Sequence, residues 1–458
     1  MAPMHHALTR LRGHSRVKIL LANRGGWVLE RYFKLAENQT TIRQEMLGGL
    51  TTFMTMAYVI VVNPQILAQA GMPEEGVLFA TCIASAAATL VMGLYANYPI
   101  ALAPGMSLNA YFTYSVCLGM HIPWQTALGV VFFSGVLFVL LTASGIREQI
   151  VNGIPDSLKH STAAGIGMFI AFVGLKNAKI VVANPATLVS IGSFSDREVQ
   201  AACFGLVLML ILIVRKVKGA MLIGILGTTL LGILRGMSRW PTALVSIPHP
   251  SLTFLKFDLH GALHLGLFEI MFIFLFVDLL DNVGTLVAVC EQAGFVKDGK
   301  IPRVGRALLA DAVGTIFGSM TGTSTVTSYI ESAAGVSASA RTGLSNILVA
   351  ALFLGAVFFS PVATAIPAFA TAPALILVGA LMMQSVARVN WDDFSDAFPA
   401  FVTVLATPLT FSIATGLSLG VISYTVVKIG AGKFREISLL LWILTALFIL
   451  RYIYLAVA

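Results

Sequence analysis

The chain has 458 residues, of which 57% are hydrophobic and 11% charged, with a mean hydropathy of +0.88 and a formal net charge of +8. A soluble domain carries about 25% charged residues, so the composition excludes a water-soluble globular enzyme and indicates a polytopic membrane bundle. The positive balance matches the cytoplasmic excess of Lys and Arg in membrane proteins and does not call for nucleic acid.

Residues 1–42 read as a basic cytoplasmic tail carrying Arg10, Arg12, Arg16, Lys18, Arg24, Arg31 and Lys34. No cleavable signal is expected, because the stretch lacks a clean apolar core ending in a small-residue cleavage site. Part of the tail is suited to lie on anionic lipid. Apolar stretches near the roughly 20 residues needed for a full span then recur near 43–63, 77–96, 124–145, 160–176, 199–215, 218–235, 261–289, 305–320, 342–360, 373–387, 397–413 and 416–430.

Two further segments read differently. In 98–118, Pro99, Pro104 and Gly105 interrupt the front half, and 321–338 opens with Thr, Ser and Val before turning helical around Glu331. Each predicts a short extended piece followed by a half-helix. Counting both gives fourteen segments, the broken ones third and tenth. A cytoplasmic N-terminus places Arg147, Lys159, the Arg215–Lys218 loop, Lys297, Lys300, Arg303, Arg306, Arg341, Arg388 and the Lys428–Arg435 stretch inside, as the positive-inside rule requires. Residues 235–260, with Arg235, Arg239 and Lys256, are the exception. The C-terminal segment 436–458 carries Arg451 and either spans or lies in the interface.

An odd number of spans per half inverts the second half. The expected fold is therefore an all-α polytopic membrane protein of 7+7 inverted repeats, with discontinuous helices meeting at the midplane. Interrupted backbone survives at that depth only where it is buried in protein or lines a cavity. This is the plan of a secondary transporter.

The chemistry is concentrated in a few polar residues within apolar runs. Asp278, Asp281 and Thr285 follow i, i+3, i+7 spacing and share one helix face. A carboxylate at membrane depth is costly and usually marks a substrate or proton pathway. One acid of the pair is suited to bind substrate or a proton, and the other to orient it. Glu331 begins the second half-helix, where a carboxylate can accept two N–H groups from a planar ligand. Asn109 sits at the first half-helix, five residues beyond Pro104, and its amide offers a donor and an acceptor together. Against these roles stand helix capping and buried packing networks. Tyr58, Tyr111, Phe112 and Phe274 could line or stack on a flat ring, or simply pack. Asp311 is expected near the cytoplasmic surface, paired with Arg303 or Arg306.

No cofactor or metal is expected. Cys82, Cys117, Cys203 and Cys290 lack metal spacing, and His260 with His264 lacks a third ligand. Nor is the pattern that of an enzyme. An intramembrane aspartyl protease takes its two Asp from two helices, whereas here both fall on one. No Gly-x-x-x-x-Gly-Lys-Ser/Thr loop is present for ATP-driven transport, and a passive channel would need a continuous polar lining.

Five stretches together resemble the AzgA-like purine permeases of the nucleobase:cation symporter-2 group: TTFMTMAYVIVVNP (51–64), APGMSLNAYF (103–112), DLLDNVGTL (278–286), TSYIESAAG (327–335) and ARVNWDD (387–393). The resemblance covers about 32–435. It implies a core domain from segments 1–4 and 8–11 (43–145 and 241–360) and a gate domain from segments 5–7 and 12–14 (146–240 and 361–435). It also implies proton-coupled uptake of adenine, guanine or hypoxanthine across a bacterial inner membrane, often by a homodimer. The family's binding positions fall on Asn109, Asp278 and Glu331, with Asp281 an essential neighbour; Asn109 leans towards adenine and hypoxanthine. Ser107 stands where many relatives have Gly, and Asn282 where Thr or Ser is common. The sister branch, carrying xanthine or uracil, is the alternative.

Overall fold

The computed structural model describes residues 24–144, 153–241, 243–246, 252–263, 268–296 and 301–457. The tail 1–23, Arg147, His264, Lys297 and Lys300 lie outside them. Among the described residues, nine helices are long and apolar enough to cross a membrane, and three more apolar helices are shorter. The molecule is an integral membrane helical bundle.

Helix α1 (Arg24–Phe33) precedes the first span, and Phe33 and Leu35 are buried against Leu344. Helices α2 (Ile42–Met56) and α3 (Val59–Ala68) make one apolar stretch of 27 residues. Between them Ile60 and Val61 bond to the carbonyls three residues back rather than four. Pro64, four residues beyond Ile60, supplies no N–H to that carbonyl.

Both broken segments take the expected form. After α4 (Glu74–Val91) the chain runs extended as β1 (Leu102–Pro104), then as a short helix α5 (Met106–Ala110) continued by π-helical turns to Gly119. Pro104 has no N–H to continue a helix, and Gly105 at the N-cap takes extended angles (φ −71°, ψ 119°). In the other half, β4 (Val326–Ser328) leads into α13 (Ser332–Ser337). The two strands pair antiparallel, Ala103 opposite Thr327. Gly105 N–H to Thr325 O and Tyr329 N–H to Ala101 O, each 3.0 Å, extend the ladder. Backbone groups left open by the two breaks thus satisfy one another, which buried polar groups require.

Helices α6 (Trp124–Ala143), α11 (Phe268–Gln292), α12 (Val304–Thr321) and α14 (Leu344–Ala356) join α2–α4 around this ladder. Gly343 lies so near Gly93 that a Cβ there would meet the Gly93 carbonyl oxygen at 2.0 Å. Overpacking of this kind costs about 1–3 kcal/mol. Gly343→Ala should therefore lower the melting temperature of the purified protein; an unchanged melting curve would refute the packing account.

A second group comprises α7 (Asp156–Asn177), α8 (Arg197–Val214), α9 (Ala220–Leu234), α16 (Ala368–Met382), α17 (Phe394–Leu409) and α18 (Ile413–Gly430), which pack extensively on one another. Helix α7 meets α16 where Gly167 and Gly379 face each other, the small-residue contact typical of helices in lipid. Buried Lys428 pairs with Asp396 at 3.0 Å and with Glu436 at 2.5 Å, tying α17, α18 and the following turn together. Nearby, the Lys433 ammonium bonds Asp393 at 2.5 Å and holds that carboxyl well below its ordinary range. The segment 436–458 forms α19 (Leu439–Val457). It packs on α18 through Ser418–Tyr452 and Thr425–Thr445 hydroxyl pairs, each 2.7 Å.

Two features depart from the sequence reading. A hairpin of β2 (Val181–Asn184) and β3 (Leu188–Ile191) fills what reads as a plain loop. Asp311 is fully buried rather than near the surface. The guanidinium groups of Arg303 and Arg306 sit over the rings of Tyr98 and Tyr95, 4.7 and 5.5 Å from their centroids.

Candidate functional site

The site forms where the strand ladder, its two half-helices, the first span and α11 come together. Glu331 is the N-cap residue of α13, placed there because the β-branched run before it is extended and the small residues after it are helical. Its carboxylate accepts the Tyr58 hydroxyl at 2.7 Å, and its carbonyl accepts Thr55 Oγ1 at 3.4 Å. On α11, Asp281 accepts the Ser107 hydroxyl from the opposite half-helix at 3.1 Å. Asp281, Tyr58, Tyr329 and Glu331 lie close enough to act on one another electrostatically. Of these residues Thr55, Asp281 and Glu331 are half-buried and Tyr58, Ser107 and Tyr329 buried, with Ile330 exposed beside them.

Asp278 and Thr285 occupy the covered face of α11, at 0% and 9% exposure. Tyr111, Phe112 and Phe274 are fully buried and packed together, the Tyr111 and Phe274 ring centroids 5.1 Å apart and those of Phe112 and Phe274 6.4 Å apart. Of the predicted lining residues, Tyr58 is hydrogen-bonded to Glu331.

Asn109 stands in a network of its own. Its Nδ2 donates to Asn63 Oδ1 at 2.5 Å, and its Oδ1 accepts the Ser324 hydroxyl. Asn63 in turn donates to Thr81 at 2.7 Å and to Thr323 at 3.0 Å. One side chain on the first span thus fastens α4, the first half-helix and the turn before β4. The sequence reading passed over Asn63, Ser324 and Thr323 as individual residues. The signal that selects the acids, a polar residue inside an apolar run, also marks Asn63, which precedes Pro64 in the first span.

The arrangement is a set of proton-exchangeable and hydrogen-bonding groups at a break in two helices. The sequence matches the permease family over residues 43–419. The chain belongs to that family. A putative permease of Methanocaldococcus jannaschii is 55% identical over 431 residues, covering 93% of this chain and 99% of the relative. The adenine permease AdeP of Escherichia coli is 45% identical over 432 residues, 94% and 97% of the two chains. The guanine/hypoxanthine permease PbuO of Bacillus subtilis is 46% identical over 427 residues, 92% and 99%. These names fit the resemblance to the AzgA-like purine permeases. The transmembrane domain of a cyanobacterial bicarbonate transporter, BicA, shares the fold with a TM-score of 0.60 at 13% identity, covering 81% of the permease and 97% of that chain. The permease is a membrane transporter, not an enzyme.

Proposed function

We propose that the permease is a proton-coupled importer of purine nucleobases, namely adenine, hypoxanthine and guanine, working by alternating access in a bacterial inner membrane with its N-terminus in the cytoplasm. The observation that carries this reading is Glu331. It is a half-buried acidic residue at a strand-to-helix break, its carboxylate bonded to Tyr58 and within the field of Asp281. Relatives named for adenine and for guanine/hypoxanthine transport support the substrate class.

Glu331 and Asp278 clamp purine N–H groups, with charge-assisted hydrogen bonds stronger than neutral ones. Asp281, held by Ser107, supports the proton step together with Thr285, and Tyr58 lines the site. Asn109 sets the first half-helix against the base. A proton enters with the substrate, because neutralising a buried charge removes most of its desolvation cost and favours the loaded, occluded state. The fourteen segments form 7+7 inverted repeats. The group around the ladder (segments 1–4 and 8–11) moves as a core against a gate of segments 5–7 and 12–14, and two copies form a homodimer.

Transporter-deficient cells expressing the protein should accumulate radiolabelled adenine. A protonophore should abolish this uptake, and unlabelled hypoxanthine and guanine should compete. Uptake blocked by xanthine or uracil but not by purines of the adenine type would transfer the protein to the sister branch. Absence of uptake of every base, with the protein present in the membrane, would overturn the substrate class.

A further inference from the structure

Asn282 follows Asp281 and lies one helical turn beyond Asp278, close to the same face of α11. Its side chain is 0% exposed, and neither its Nδ2 nor its Oδ1 has a hydrogen-bond partner among the described residues. Buried amides are rarely left so, because each unsatisfied polar atom keeps its desolvation penalty. Helix α11 packs on β4. There the hydroxyls of Thr327 and Ser328 are likewise buried and lack a partner among the described residues. Polar capacity is therefore stored on α11 and β4 without a partner among the described residues.

The contrast with Asn109 is informative. Both functional atoms of the Asn109 amide are engaged, by Asn63 and by Ser324, so it could read a ligand only by breaking that network. Asn282 has both atoms to offer. We infer that Asn282 is the specificity-determining amide of this site, pairing with the hydrogen-bonding edge of the purine beside Asp278. This rests on the purine reading above.

A primary amide carries donor and acceptor side by side. Rotated by half a turn about its terminal bond, it meets either a 6-amino purine, with its donor and ring acceptor, or a 6-oxo purine, with its acceptor and ring N–H. One residue thereby accepts both substrate types. Asn282 is covered in this conformation, so the base reaches it after first meeting the part-exposed Asp281 and Glu331.

The test is Asn282→Leu, close in volume and without polar atoms, measured in purified full-length protein by equilibrium binding of radiolabelled adenine and hypoxanthine and by thermal melting. The expected result is at least a tenfold weaker affinity for both bases with a melting temperature unchanged or raised, since removing an unsatisfied buried amide is neutral or stabilising. Asn282→Ser, with one hydroxyl, should recover part of the affinity. Unchanged affinity in Asn282→Leu, with wild type binding both bases, would overturn the role of Asn282 and assign its amide to buried water. A lowered melting temperature with affinity retained by the folded fraction would overturn it in favour of a structural role. Wild-type protein that binds neither base would overturn the purine reading itself.

Discussion

Glu331→Gln should reduce adenine uptake by about two to four orders of magnitude at equal membrane abundance. A hydrogen bond to a charged group contributes roughly 1.5–3 kcal/mol. Loss of two, at about 1.4 kcal/mol per factor of ten, gives that range. The substitution keeps size and shape but turns one acceptor oxygen into a donor, so it repels one of the N–H groups the carboxylate would hold. It also removes the site's ability to bind and release a proton. The Tyr58 hydroxyl, 2.7 Å from Glu331 Oε1, can still donate to the amide oxygen, so the fold should persist with a similar melting temperature. Two assays separate the losses. Equilibrium exchange of adenine across the membrane reports binding and movement without net proton flux, and concentrative uptake reports coupling. Exchange without accumulation would place the proton on Glu331. Loss of both would make Glu331 chiefly a substrate ligand. Full proton-coupled accumulation by the Gln variant would remove Glu331 from the site.

What was legible in the sequence followed the cost of placing each group in a membrane. Asp278, Asp281 and Glu331 stand out because charge inside an apolar run has few innocent explanations. The two helix breaks stand out because Pro104, Gly105 and the β-branched run at 325–327 oppose helix by local sterics alone. Both signals are local. Partnership is not: Ser107 bonds Asp281 across 174 residues and Asn63 bonds Thr323 across 260, and no spacing rule links such positions. This is why Asn109 reads as a free amide in the sequence yet is tied at both ends in the fold, while Asn282 is marked in the sequence only as a departure from the resembled family beside Asp281. The hairpin at 181–191 escaped for another reason. Its strands hold four residues each and flank the turn Pro185-Ala186-Thr187, too short to separate from loop by alternation.

Asn63→Leu should have the opposite effect on stability to Asn282→Leu, although both replace a fully buried Asn with a similar apolar volume. Asn63 Nδ2 serves Thr81 and Thr323, and its Oδ1 serves Asn109. Removing it takes a partner from groups on three other elements at once, of which the Thr81 hydroxyl keeps its bond to the Val77 carbonyl. In water each would cost about 1–3 kcal/mol; within membranes, side-chain hydrogen bonds average about 0.6 kcal/mol because the unfolded chain also finds partners. A loss of about 2–4 kcal/mol lies between these limits and should appear as a clear drop in melting temperature. Asn109→Leu should destabilise by a similar mechanism, and the double variant by less than the sum of the two, since the second change removes a bond already lost. Adenine uptake should fall in Asn63→Leu even in the folded fraction. The hub holds the first half-helix and the turn before β4 in register, and with them Ser107 against Asp281. Strict additivity of the two losses would show that the Asn63–Asn109 bond does not couple the half-helix to the first span. Unimpaired uptake at full stability would show that the half-helices are held in place by the β1–β4 ladder alone.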